Sequence, residues 1–230
     1  MKKHLVILSG AGVSAESGIN TFRDSGGLWE DHDIMEVASP EGFAQNPELV
    51  LDFYNQRRKQ LLTVAPNAAH QLIAELEAHF NVTVITQNVD NLHEKAGSTR
   101  VIHLHGELLK VRSTANPDEI MDWQTDLTLG QKDQNGHQLR PHIVWFGEEV
   151  PELPFAADMV SKADFVIVIG TSLQVYPAAG LMHFADPSVP VFYIDPNPAQ
   201  ISGLTNPLQI IPEIASKGMK MVYEKLMNMA

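Results

Sequence analysis

The chain contains no cysteine. That excludes disulfides, thiol nucleophiles and any thiolate zinc site. It also lacks a long apolar run. The first hydrophobic stretch, residues 5–8, is too short for a signal-peptide core, and nothing approaches the ~18 apolar residues of a membrane span. A cytoplasmic protein with no membrane contact is therefore expected. Positive charge is scarce, with 16 Lys and Arg against 28 Asp and Glu and a net charge of −12. Phosphate neutralisation needs clustered basic side chains, so nucleic acid is not an expected partner, whereas basic, lysine-bearing protein surfaces are admissible. There is no internal repeat and no low-complexity tract. What is present is an ordinary globular composition, 44% apolar and 19% charged over 230 residues. That length suffices for a large domain with a smaller insertion.

Five short apolar runs read as buried parallel strands: residues 5–8, 82–85, 101–104, 165–169 and 191–194. A helix is expected over 68–80, with Asn67 as its N-cap and Leu72, Ile73 and Leu76 on its inner face. Strand and helix in alternation imply an α/β fold with a doubly wound parallel sheet. The strand exits read SGAGVS, TQNVD, HLHG, GTS and IDPN. Ligands of open α/β sheets sit beyond the carboxyl ends of the strands, so five polar exits together favour one shared cleft. Two segments break the alternation: 31–65, helical and loop-like, and 110–142, polar and turn-rich. A loop as long as the second is usually functional or a small module of its own.

The first exit, Gly10-Ala11-Gly12-Val13-Ser14-Ala15, satisfies G-x-G-x-x-G/A. On that pattern Gly10 makes the turn, Gly12 lets the backbone approach a pyrophosphate, Ala15 permits close helix packing, and a helix N-terminus follows. An ordinary dehydrogenase would then place a second strand ending in an acid. Here INTFRDSGGLWE intervenes without a strand period, which disfavours hydride-transfer architecture; Arg23 reads as a solvated loop residue or as a pyrophosphate or lid contact.

His103 and His105 in VIHLHG lie two apart, a spacing that suits a metal pair, a proton carrier or a packed side chain. Zinc wants three or four ligands, and His137 lies far along a polar loop, so no metal site is expected. In NPELVLDFYNQRRKQLL, Asn46 and Pro47 start a helix whose stripe Val50, Tyr54, Arg57 and Leu61 shares one face. A tyrosine and an arginine three apart in an apolar stripe suit a clamp on a carboxylate; Arg58 reads as a snorkelling edge residue.

GAGVSAESGINTFRDSGGLW, TQNVDNLHEKAG, HLHGEL, VWFGE and GTSLQVYPAAG together resemble the sirtuins, the NAD-dependent protein lysine deacylases, in order and spacing. The nearest resemblance is to the bacterial desuccinylase-like branch. It implies a Rossmann-like domain (1–30, 66–109 and 143–230) and a small domain from two insertions, 31–65 and 110–142. It further implies that NAD is consumed as a co-substrate. The acyl oxygen of an acylated lysine attacks C1′ of the nicotinamide ribose, nicotinamide leaves, and a histidine deprotonates a ribose hydroxyl. O-acyl-ADP-ribose and free lysine result.

Carried over by position, Gly10 to Ala15, Thr21, Phe22, Arg23 and Trp29 would contact NAD. Gln87, Asn88, Val89 and Asp90 would line its ribose and nicotinamide side. Gly170, Thr171, Ser172, Asp195, Pro196 and Asn197 would meet the adenosine end. His105 would be the general base, aided by Asn88 and Asp90, while His103 packs. Val144, Trp145, Phe146 and Gly147 would hold the lysine stem. Tyr54 and Arg57, with the small Ala38, would take a succinyl or malonyl tail.

The sequence departs from the family in two places. Ser113 stands where the first zinc cysteine is usual, so no zinc is expected, and Ile120, Met121, Trp123, Leu127 and Leu129 are expected to hold the module instead. Asp195 stands where asparagine is usual. A non-catalytic NAD or ADP-ribose sensor and an ADP-ribosyltransferase are the competing readings, and no motif bears on oligomeric state.

Overall fold

The computed structural model describes residues 2–20, 28–29 (backbone only) and 32–229. Thr21, Phe22 and Arg23 lie outside the described residues, as does the side chain of Trp29.

Six strands form one parallel sheet: β1 (His4–Ser9), β4 (Asn81–Thr86), β5 (Val101–His103), β9 (Phe165–Ile169), β10 (Val191–Ile194) and β11 (Leu208–Ile211). Their spatial order is β11-β10-β9-β1-β4-β5, every pair parallel. Taken in chain sequence this is the 3-2-1-4-5-6 order of dinucleotide-binding sheets, with β1 at the switch point. The second strand of that order is present after all. It arrives only at Asn81 because β2 (Leu28–Trp29), β3 (His32–Asp33), α1 (Ile34–Val37), α2 (Pro40–Gln45), α3 (Pro47–Thr63) and α4 (Ala68–Glu75) intervene.

The central runs of β1, β9 and β10 are aliphatic because both faces are covered. Leu5, Ile7, Val84, Ile167 and Ile194 pack with α4 and α7 (Ala215–Met227), whereas Val6, Leu8, Ile85, Val166 and Val168 pack against α6 (Leu153–Ser161) and the 3-10 turn of residues 178–184. Successive residues point to opposite faces, so an unbroken aliphatic run fills two cores. The edge strand β11 was not expected from sequence. Leu208 and Ile210 are exposed, so its run carries no two-sided apolar signature. The helix expected over 68–80 is α4 followed by a 3-10 turn at Leu76–Ala78. Asn67 caps it by accepting from Ala69, while the Asn67 amide donates to the ring of His70.

The polar insertion folds as an antiparallel sheet, β7-β6-β8, of β6 (Gly106–Ser113), β7 (Ile120–Asp122) and β8 (Leu139–Ile143). Its core is Leu127 with Leu51, Val111 and Leu139, flanked by Met121 and Trp123. Ile120 and Leu129 are exposed instead. The expected cluster drew only on the insertion's own residues, whereas the apolar partner that closes this core, Leu51, comes from α3. Ser113 donates to Asp133 at 2.5 Å, and the same carboxylate accepts from the amides of Asn135 and His137. Among the described residues, no group of three or more potential metal ligands converges.

The Ser113 hydroxyl and these amides hold the Asp133 carboxyl at about 2. Its folded pKa lies below the unfolded value of about 4, so its stabilisation is complete above that value and is lost as pH falls from about 4 to about 2. Asp133→Asn is therefore expected to lower the thermal midpoint at pH 7, with the gap to wild type closing across that window. Parallel melting curves at every pH would contradict it.

Arg58 does not snorkel. It is 1% exposed. Its Nε donates to the Leu108 carbonyl, and one terminal nitrogen donates to Asn55 Oδ1 and the Thr125 carbonyl. Since Asn55 Oδ1 also accepts from the Leu127 amide, Arg58 and Asn55 tie α3 to the inserted sheet.

Candidate active site

The five expected strand exits border one cavity of about 730 Å³ at the carboxyl ends of the sheet. Its size falls within the range of small-molecule and cofactor sites. One wall is the switch point itself. Gly10 donates to Ile169 O at 3.0 Å and Gly12 to Gly170 O at 2.8 Å. A Cβ on Gly12 would lie 2.8 Å from the Gly170 Cα, and one on Gly170 would lie 2.2 Å from the Val13 nitrogen. The glycines thus let two strand exits touch, a constraint additional to the expected approach to a pyrophosphate.

Two further expectations for this turn are corrected. The segment after Gly10 is a pair of three-residue 3-10 turns, Ala11–Val13 and Ala15–Ser17, too short to carry a helix dipole towards an anion. Ala15 is exposed at the cavity and not buried against a helix, while Val13 points into the core instead of lining the cavity.

The loop after β4 is tied to this turn. Asn88 Nδ2 donates to Ser14 Oγ at 3.1 Å, and Ser14 Oγ donates to Asp90 Oδ2 at 2.9 Å. The other Asp90 oxygen accepts from Leu92 N, the first residue of α5 (Leu92–Ala96), and Asp90 also faces the cavity. Burial pushes its carboxyl pKa up against the pull of those two donors. Gln87 Nε2 reaches Thr171 Oγ1 at 3.3 Å, joining the β4 and β9 exits. Asp195 Oδ1 accepts from Asn197 N at 2.8 Å, which fixes the β10 exit.

His105 lies on the floor between these exits. Its Nδ1 is 3.0 Å from the Gln87 carbonyl oxygen. A carbonyl only accepts, so Nδ1 carries the proton and the neutral ring keeps its lone pair on Nε2. Burial lowers its pKa despite the opposing bond to Gln87, so the ring is neutral near pH 7. His103 does not merely pack: it bonds Glu94 and the Asn88 carbonyl.

The far wall comes from α3 and the turn after β8. Tyr54, Arg57 and Ala38 line the cavity with Val144, Trp145, Phe146 and Gly147. The Trp145 indole donates to the Tyr54 hydroxyl at 2.9 Å, and burial raises the Tyr54 pKa so that it stays a phenol. Among the described cavity residues Arg57 is the single Lys or Arg, set among Glu16, Asp90, Glu148 and Asp195.

Sequence reasoning gave no role to Arg140 and took Glu148 only as the last residue of VWFGE. Both Glu148 oxygens accept from Arg140, at 2.6 and 3.1 Å, and Oε2 also accepts from Trp145 N and Arg112. The Arg140 guanidinium lies 3.3 Å from the Trp145 ring centroid. The pair therefore fixes the indole that meets Tyr54. The E of VWFGE was the available signal, but its partner on β8 has no periodic signature.

The Sir2 family profile matches residues 10–177. A protein named NAD-dependent protein deacylase from Helicobacter pylori (strain J99 / ATCC 700824) is 58% identical over 99% of this chain and 97% of its own. One of the same name from Bacteroides thetaiotaomicron is 52% identical over 97% of this chain and 98% of its own. Among solved structures, a mutant Sir2 homologue with ADP-ribose superposes with a TM-score of 0.89 at 38% identity, covering 99% of this chain and 93% of that one. A Sir2 homologue in complex with NAD gives a TM-score of 0.84, also at 38% identity, over 99% and 91%.

Proposed function

The chain belongs to the Sir2 family, and from that premise we propose which of its residues carry out NAD-dependent protein deacylation and which acyl groups it accepts. It is an NAD-dependent protein deacylase, and its partners are proteins bearing acylated lysines. NAD supplies the ribose carbon that accepts the acyl oxygen when nicotinamide departs. The Gly10–Gly12 turn and residues 170–172 bracket the dinucleotide with backbone and short hydroxyls, which approach closely without bulk. Asn88 and Asp90 orient the ribose on the nicotinamide side. His105 Nε2 takes the proton of a ribose hydroxyl as general base. Val144 to Gly147 enclose the aliphatic lysine stem. Tyr54 and Arg57 receive the carboxylate of a succinyl or malonyl tail, with Ala38 leaving room for it.

One observation carries this reading: a neutral histidine with its proton committed to the Gln87 carbonyl borders the same cavity as the glycine switch point and the buried Tyr54–Arg57 pair. The test is mass spectrometry on acetyl- and succinyl-lysine peptides with and without NAD. Acyl removal is expected for both peptides, only with NAD, and with nicotinamide released in equal amount. Nicotinamide release that ignores the acyl group would overturn it in favour of ADP-ribosyl transfer.

A further inference from the structure

The two histidines of VIHLHG bond consecutive carbonyls of one loop, His105 to Gln87 and His103 to Asn88. They differ at the other ring nitrogen. His103 Nδ1 lies 3.1 Å from Asn88 O, and its Nε2 lies 2.6 Å from Glu94 Oε1. A carbonyl and a carboxylate both only accept, so both bonds form together only when both ring nitrogens carry protons.

We propose that Glu94 holds His103 as an imidazolium, and that this pair is a positioning device which fixes the Asn88 carbonyl and sets a positive charge beside Asp90. The proposal rests on the reading that Asn88 and Asp90 face the reacting ribose. Asp90 is 7% exposed and would favour its neutral form in apolar surroundings. A cation beside it works with the Ser14 and Leu92 donors to favour the carboxylate, against the burial that raises its pKa.

The charged and titratable groups facing His103 are Glu94 from α5, Glu107 from β6 and Asp90 from the loop, with His93 behind. His93 is kept neutral by burial, while Lys110 of β6 pairs with Glu107 at 2.7 Å and also favours the Glu94 carboxylate, so Glu94 is the acid that bonds His103 directly. Burial alone would lower the His103 pKa, but the bond and charge of Glu94, with the charge of Glu107 and the Asn88 carbonyl, bring the net direction up. Glu94 moves the complementary way, lowered by His103 against its own desolvation. His105 has no carboxylate partner among the described residues, and its pKa falls. Two histidines two apart thus hold different charge states: both bond the loop, and the neutral one is left with a nitrogen that can accept a proton.

Glu94→Gln tests this, because its side chain is 37% exposed and the change keeps an acceptor while removing the charge. Without the carboxylate the His103 pKa drops, so the proton is lost at lower pH. The expected result is kcat/KM for NAD, measured with an acetyl-lysine peptide, close to wild type at pH 6 and falling progressively below wild type towards pH 8.5, as the alkaline limb moves to lower pH. Glu94→Asp is expected to restore the alkaline side. A loss of equal size at every pH, or no loss, overturns the proposal. Nitrogen-15 NMR of the wild-type protein at pH 7.5 is expected to show both His103 ring nitrogens protonated, and a neutral-ring signature overturns it independently. If His105 variants keep full activity, the assignment of the site fails, while the NMR result still decides the charge of His103.

Discussion

His105→Ala is expected to lower kcat for deacylation by about 10²- to 10⁴-fold, equivalent to about 3–5 kcal/mol of barrier. The Gln87 carbonyl takes the Nδ1 proton, so the imidazole presents one basic nitrogen in a fixed orientation. A residue acting only in the chemical step lowers kcat and kcat/KM together and leaves nucleotide binding in place. Isothermal titration with NAD should therefore show near-wild-type affinity in the variant. Burial depresses the His105 pKa, which sets the pH dependence of the wild type. Base catalysis needs the neutral ring, so the acid limb of kcat/KM is expected below about pH 6.5, the ordinary histidine value. Retention of a third or more of wild-type kcat would sink the assignment.

Arg57→Met is the second large effect. The ratio of desuccinylation to deacetylation is expected to fall by about 10²- to 10⁴-fold. Two charge-assisted bonds from one guanidinium fork contribute roughly 1.5–3 kcal/mol each, and an acetyl group has no carboxylate to receive them. Methionine fills similar space with an unbranched apolar chain. Tyr54→Phe would be a poorer probe, since it strips the acceptor from the Trp145 indole and leaves a buried donor unsatisfied at about 1–3 kcal/mol. Steady-state kinetics on matched succinyl and acetyl peptides decide the matter. An equal fall in both activities would place Arg57 in the support of the fold or on the dinucleotide.

How much of this was legible in the sequence follows from what kind of signal each feature leaves. The aliphatic runs at β1, β9 and β10 are two-sided and short, and flanking glycine and polar exits mark their ends. β11 left no such signal because half its side chains face solvent. The α3 stripe was visible since its period is 3.6, yet Arg58, one position from Arg57, read as a surface residue. Its partners, Leu108 and Thr125, lie 50 and 67 residues away. The glycine pattern at 10–15 was recognisable, but the helix expected after it is a pair of short 3-10 turns, and the contact of Gly12 with Gly170 left no signal along the chain.

By itself, the sequence determined the alternating α/β layout, the absence of thiol chemistry, and the residues that end up at the tips of the strands. These depend on apolar period and turn chemistry, which act over a few residues. Tertiary structure alone decided the strand order about β1, the charge on His103 and the Glu148–Arg140 grip on Trp145. Each depends on which polar atoms from distant segments become neighbours in a low-dielectric interior, where a single acceptor settles a proton's position, and spacing along the chain does not encode that.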